Sequence, residues 1–243
     1  MCRVRLLKPW GRQLRQYSLL KLYNYSPWKC INNRLTAAYV DPKRNGQDQI
    51  APTNLSEQVI KAIAQSLMMY DTSNLEKGQA SLRPNNIGTQ LSKEPREHFG
   101  IATQLSKYLA YLVAFTPRLL PDHPYRTQSI FRSAVSEARG LFKESSVSMD
   151  KRIEMLKGID VEQCQENIVL QGAKLGRQFA SVVANEEQIW KVLADFWEEM
   201  MYMAPSNAAA AHADYLPTGG EFVTHVWVFV SHADMKREPH DGE

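Results

Sequence analysis

The chain alternates between segments with apolar residues at helical spacing and polar stretches rich in Pro, Gly and Asn. The clearest stripe is Ile101, Leu105, Tyr108, Leu112 and Phe115, which predicts a helix over Pro95–Thr116. Pro95 suits its first turn, where a missing N–H costs nothing, and Pro117, Pro121 and Pro124 end it. A second helix is expected from about Arg126 to Phe142, with Phe131, Ala134, Val135, Ala138 and Phe142 inward and Glu137 and Glu144 offsetting its basic residues. A third is expected over Val161–Val183, where Val161, Cys164, Ile168, Leu175, Phe179 and Val182 share a face.

Asn185 and Gln188 form a capping-box pattern that opens a fourth helix, and Glu186 and Glu187 favour the positive end of its dipole. Its stripe is Ile189, Leu193, Phe196 and Met200, widened by Trp190, Trp197 and Met201, and Pro205 ends it. Asn207–Asp214 is Ala-rich and suits a short helical turn. In Thr218-Gly219-Gly220-Glu221 the glycines permit a tight turn, and Thr218 and Glu221 can cap each other. The last helix, Glu221–Ala233, carries Phe222, Val226, Phe229 and Val230 on one side, a strand being the alternative over Val226–Val230.

Earlier in the chain the pattern is weaker. Trp10, Leu14, Tyr17 and Leu20 predict one or two short helices within Met1–Val40. Asp41–Thr53 reads as a linker, and Asn54 with Glu57 opens a helix carrying Val59, Ile60, Ile63, Leu67 and Tyr70. Asp71–Glu94 is long and polar, which is uncommon inside a compact domain and marks a disordered linker or a damaged region. The expected class is all-α, an irregular bundle of about six to eight helices with long polar linkers. Three sections follow: 1–53, a basic helical segment and linker; 54–94, a helix and polar linker; and 95–243, a helical domain.

Charge changes this picture. The first forty of the 243 residues contain eight basic residues and no acidic one, leaving 21 of the 29 basic residues against all 26 acidic ones in the rest. That division predicts that residues 1–40 meet an anionic membrane surface, with a solvated basic helix or an organelle-targeting peptide as alternatives. No specific nucleic-acid binding is expected, because no nucleic-acid fold pattern accompanies the charge. Three widely spaced cysteines, Cys2, Cys30 and Cys164, fit a reducing, cytoplasmic setting. The longest apolar run, Tyr108–Phe115, falls far short of the roughly 20 residues that span a bilayer. The sequons at Asn24 and Asn54 are then chance matches.

Candidate chemistry gathers near the C-terminus. Glu221, His225 and His232 fall on one broad helical face, and with His212 or Asp214 they could hold a metal ion. The spacing is not HExxH, and a packed His225 beside Trp227 with a solvated His232 and His240 explains it equally. No nucleotide pattern marks the Gly219-Gly220 turn, and Glu221 there would repel phosphate. Glu198 and Glu199 are adjacent and diverge by about 100° on a helix, so they cannot share a substrate. There is no GxSxG nucleophile elbow, and no cofactor is implied. Met200-Met201-Tyr202-Met203 reads as adaptable core.

IWKVLADFWEEMMYMA followed by HADYLPTGGEFVTHVWVFVSHAD resembles the C-terminal signature of plant proteins of the domain of unknown function 594 family. The matching positions include Trp197, Glu198, Met200, Tyr202, His212, Ala213, Gly219, Gly220, Glu221, Thr224, Val226, Trp227 and His232, within 185–237. LSKYLAYLVAFTPRLLP also resembles a preceding family helix, so the likeness covers about Leu105–Asp234. The resemblance implies a helical part beside an upstream multi-pass membrane region, and no activity or catalytic residue comes with it. This chain carries no such region and has Pro217 where the family has Arg, which predicts a fragment or rearranged gene product. The expected function is a non-enzymatic interaction or regulatory region of a membrane-associated protein, with an unidentified protein partner. The alternative is a metal-dependent enzyme using Glu221, His225, His232 and His212.

Overall fold

The computed structural model of the chain describes residues 10–25, 46–48, 50–69, 95–143, 148–159, 167–183 and 185–232. Expectations for Asp71–Glu94, Val161, Cys164 and His240 lie outside them. The described elements are β1 (Gln13–Gln16), α1 (Leu19–Leu22), β2 (Ile50–Asn54), α2 (Glu57–Met69), α3 (Pro95–Phe115), α4 (Pro124–Leu141), α5 (Met149–Gly158), α6 (Ile168–Val182), α7 (Glu186–Met203), α8 (Ala209–Ala213) and α9 (Phe222–His232). The helical class is as expected. A two-stranded antiparallel sheet is added where helix and linker were expected.

The core is built on α3. Its stripe Ile101, Leu105, Tyr108 and Leu112 is buried, and so are Ala102, Leu109, Tyr111 and Ala114 on its flanks. A helix covered this widely needs neighbours on several sides; α7, β1, α4 and α2 supply them. Each fully buried Leu contributes about 1.5–3 kcal/mol. Helices α3 and α7 run parallel. Phe99 and Trp190, near their first turns, meet edge to face at 4.7 Å, and beyond their far ends the Ser206 N–H donates to the Leu119 carbonyl at 2.7 Å. The intervening α4, α5 and α6 bring the chain back to the end where α3 began.

The first described segment departs from the expected helix. Leu14 and Gln16 are buried while Gln13 and Arg15 are exposed, the two-residue period of a strand. Leu14, Tyr17 and Leu20 also fit a helical spacing, so the short pattern is ambiguous, and pairing with Ile50–Asn54 decides it. Gln13 faces Asn54, Leu14 faces Thr53 and Gln16 faces Ile50. Arg15 therefore lies opposite both Ala51 and Pro52, a bulge that accommodates a proline with no N–H to give the ladder. Part of the expected Asp41–Thr53 linker is thus strand. Gly46, in the same stretch, has φ +74°, accepts from the Tyr17 hydroxyl at 2.8 Å and sits against Val135. Gln47 donates to the Ala114 carbonyl at the end of α3, meeting one of the acceptors a helix C-terminus leaves open.

Caps differ in detail from the sequence pattern. Ser56, not Asn54, caps α2: its hydroxyl accepts from the Val59 N–H at 3.2 Å, while Asn54 pairs in the sheet. Asn185 caps α7 through the Glu187 N–H at 3.0 Å. Helix α5, which the apolar pattern did not show, starts at Ser148, whose hydroxyl accepts from the Lys151 N–H. Glu137 does more than offset charge: it accepts from the Val169 N–H at 3.1 Å, beside Asn167, which takes the Leu170 N–H. The expected inward stripe of the third helix is not inward along its length, because Ile168 and Leu175 are exposed on α6. Phe229 is likewise exposed on α9, whereas Phe222, Val226 and Val230 are buried as expected. Among the described residues no helix is long and apolar enough to cross a membrane.

Candidate functional site

The site is a polar cluster inside the core where β1, α3 and the start of α9 meet. Gly219 and Gly220 both have left-handed φ, +100° and +75°, which glycine adopts without a Cβ penalty. The turn they make ends at Glu221, which is 6% exposed. Glu221 was expected to form a local cap with Thr218. Its carboxylate instead reaches across to α3 and β1. Tyr111 donates its hydroxyl to Glu221 Oε1 at 3.4 Å. Arg15 Nη1 lies 3.3 Å from the same oxygen and donates to the Tyr111 hydroxyl at 2.9 Å. Tyr108 accepts from the Val223 N–H at 3.0 Å, meeting one of the first open donors of α9. Around this cluster Trp10 stacks on Phe222 at 5.6 Å and Tyr108 on Tyr111 at 6.2 Å.

The electrostatics follow from burial. Burial raises the Glu221 carboxyl, and Arg15, Tyr111 and Tyr108 partly oppose this. Tyr111 is pushed up to about 12, first by burial and then by the Glu221 charge, so it stays a donor at neutral pH. Tyr108, fully buried, is likewise raised, first by burial and then by the Glu221 charge. A buried carboxylate shared by two phenols and a half-exposed guanidinium is a pinned network: the charge that folding buries is matched by three residues from two elements. It offers no pair of groups driven apart in acidity and aimed at open space, the arrangement that acid–base chemistry needs.

The four expected ligands are not gathered. His212 is fully buried; its Nε2 faces the Ser206 carbonyl at 3.0 Å and its Nδ1 faces the Thr224 hydroxyl at 3.2 Å. A carbonyl can only accept, so Nε2 carries the proton and the Nδ1 lone pair takes the Thr224 hydroxyl. Both nitrogens are thereby used. The ring stacks on Trp227 at 4.7 Å, the place expected for His225. His225 instead lies against Trp10 at 4.5 Å, and burial lowers its basicity while the Gly219 carbonyl opposes this. His232 is exposed and bonds its own helix at the Val228 carbonyl. Among the described residues no group of three or more His, Cys, Asp or Glu is placed to hold a metal ion. Glu198 and Glu199 are 3% and 0% exposed, and each is engaged within the protein.

Arg15, Tyr108 and Tyr111 did not stand out as site residues in the sequence. Tyr108 lay on the apolar stripe and Arg15 in a basic run. The available signal was two tyrosines three apart on a buried helix, since buried phenols require polar partners. No curated protein and no solved structure matches the chain. The family described as "Protein of unknown function, DUF594" matches over residues 183–235. The segment that holds α7, α8 and α9, with Glu221, His212 and Thr224 at its buried joints, thus carries the signature of the DUF594 family.

Proposed function

We propose that this chain is a non-enzymatic helical interaction or regulatory region of a membrane-associated protein, resting on an anionic membrane surface through residues 1–40. The observation that carries the reading is the use of the signature's polar residues. Glu221, His212 and Thr224 are all buried, and each is bonded to groups elsewhere in the fold. They hold elements together and leave no group directed at a substrate.

The charge division supports the membrane contact. Arg12, Arg15 and Lys21 are exposed at the described end of the acid-free stretch. Lys21 lies close enough to Lys107 to help burial lower its basicity, so positive potential extends onto α3. A basic residue near such a surface contributes about 1 kcal/mol, so several together suffice for reversible binding.

Co-sedimentation tests this with vesicles of phosphatidylcholine alone and with about one third phosphatidylserine. Binding is expected only to the anionic vesicles, weakening with salt and on replacing Arg3, Arg5, Lys8 and Lys21 by Gln. Equal binding to both compositions, or none, removes the membrane contact. Metal analysis tests the non-enzymatic half: stoichiometric zinc or iron lost on His225→Ala would replace it with the metal-enzyme alternative.

A further inference from the structure

Lys21 and Lys107 are brought together by the way β1 leaves the sheet. The Tyr17 N–H donates to the Lys107 carbonyl at 3.0 Å, which fixes the exit of β1 against the middle of α3. The chain then turns at once into α1, where the Lys21 N–H donates to the Ser18 carbonyl at 3.2 Å. Lys21 is exposed and Lys107 half-buried. The two ammonium groups approach closely enough that Lys21, after burial, lowers the basicity of Lys107. Among the described residues neither lysine takes part in an ion pair.

The charges next along α3 are already matched to each other. One turn beyond Lys107, Tyr111 donates to Glu221, and Arg15 of β1 is joined to both. The lysines therefore keep their full positive charge. Two like charges side by side, one of them partly removed from water, cost free energy in the folded protein. A doubly charged anion held by both ammonium groups reverses that cost. A phosphomonoester carries about two negative charges at neutral pH and has three acceptor oxygens. A phosphodiester lipid such as phosphatidylserine has a single charge on its phosphate. Lys21 belongs to the acid-free first forty residues, so a phosphomonoester at this pair would reach it from the membrane surface.

We infer that Lys21 and Lys107 together bind the phosphomonoester headgroup of an anionic lipid. The inference rests on the membrane reading and adds to it a headgroup selectivity carried by Lys107, which lies outside the first forty residues. The test is co-sedimentation of the full chain with phosphatidylcholine vesicles containing either phosphatidylserine or phosphatidic acid, adjusted to equal zeta potential. Binding to phosphatidic acid is expected to be about tenfold tighter at this equal surface charge. Lys107→Gln should remove the preference while changing phosphatidylserine binding by less than about twofold, and Lys107→Arg should keep the preference. Lys21→Gln should also remove the preference. Circular dichroism confirms that each variant is folded, and either folded Gln variant decides the outcome. Titration with glycerol 3-phosphate distinguishes a lipid from a soluble ester; the soluble compound is expected to bind at least about a hundredfold more weakly than the vesicles.

Equal binding to the two anionic vesicles, or a preference for phosphatidylserine, overturns the inference and leaves the membrane reading standing. A preference for phosphatidic acid that survives in a folded Gln variant overturns it too, since the lysines would then not be its source. Glycerol 3-phosphate binding as tightly as the vesicles overturns the lipid as the ligand, and failure to bind either anionic vesicle removes both readings.

Discussion

Tyr108 is the residue on which the buried cluster turns. Its hydroxyl accepts the Val223 N–H and touches the field of Glu221, in a place with no exposure to solvent. Tyr108→Phe leaves that N–H without its acceptor, and a loss of about 1–3 kcal/mol is expected in urea unfolding. Titration separates Glu221 from His225. The Glu221 carboxyl is raised above its ordinary 4.5, so the folded state holds the proton more tightly than the unfolded chain. Its contribution is complete below about 4.5 and is lost as pH rises through the raised value. His225 is lowered below 6.5, so its contribution is present above 6.5 and is lost as pH falls. Glu221→Gln should therefore flatten the decline in stability on the alkaline side of pH 4.5, and His225→Gln the decline just below 6.5. Midpoints of urea unfolding between pH 4 and 8 would show this; identical pH profiles for wild type and both variants would contradict it.

At the scale of elements, the long stripes were readable and the short ones were not. Pro95–Thr116, the helix from Arg126 and the helix from Asn185 appear within one or two residues of the pattern, because each repeats its spacing over four or more turns. Helix α5 leaves no apolar stripe in the sequence because it is short and polar, with Ile153 and Met155 exposed. β1 is ambiguous in the sequence because four residues cannot separate a period of 2 from one of 3.6. The stretch at Gly46 looked like linker, yet it is fixed on both sides. A Cβ there would lie 2.7 Å from Val135 Cγ1, and φ is +74°. Gly46→Ala is expected to cost about 2–3 kcal/mol from left-handed strain plus overpacking, measured as a lowered unfolding midpoint.

Across the whole molecule, the basic N-terminal stretch is structural as well as charged. Leu14 and Tyr17 share the core with α3, Trp10 packs on Phe222, and Arg139 of α4 donates to the carbonyls of Tyr23 and Tyr25. Removing residues 1–25 should therefore abolish cooperative thermal unfolding of the rest, monitored by circular dichroism. A truncated chain that unfolds cooperatively at the wild-type temperature would show that these contacts contribute nothing. The same connection reaches the signature segment: at the start of α9, Tyr108 takes the Val223 N–H while Tyr111 and Arg15 meet Glu221.

The sequence by itself determined the helical class, the course of the long helices, the turn at Gly219-Gly220 and the family likeness. Periodicity and left-handed glycines are local properties, legible wherever enough turns repeat. Only the tertiary structure decided what the polar residues do. Glu221 looked like a local cap with Thr218, but the phenols that receive it stand 110 and 113 positions earlier and the guanidinium 206 earlier. His212, not His225, stacks on Trp227, while His225 lies against Trp10 from the far end of the chain. A side chain's partner across such separations is set by how helices pack, which no spacing along the chain records.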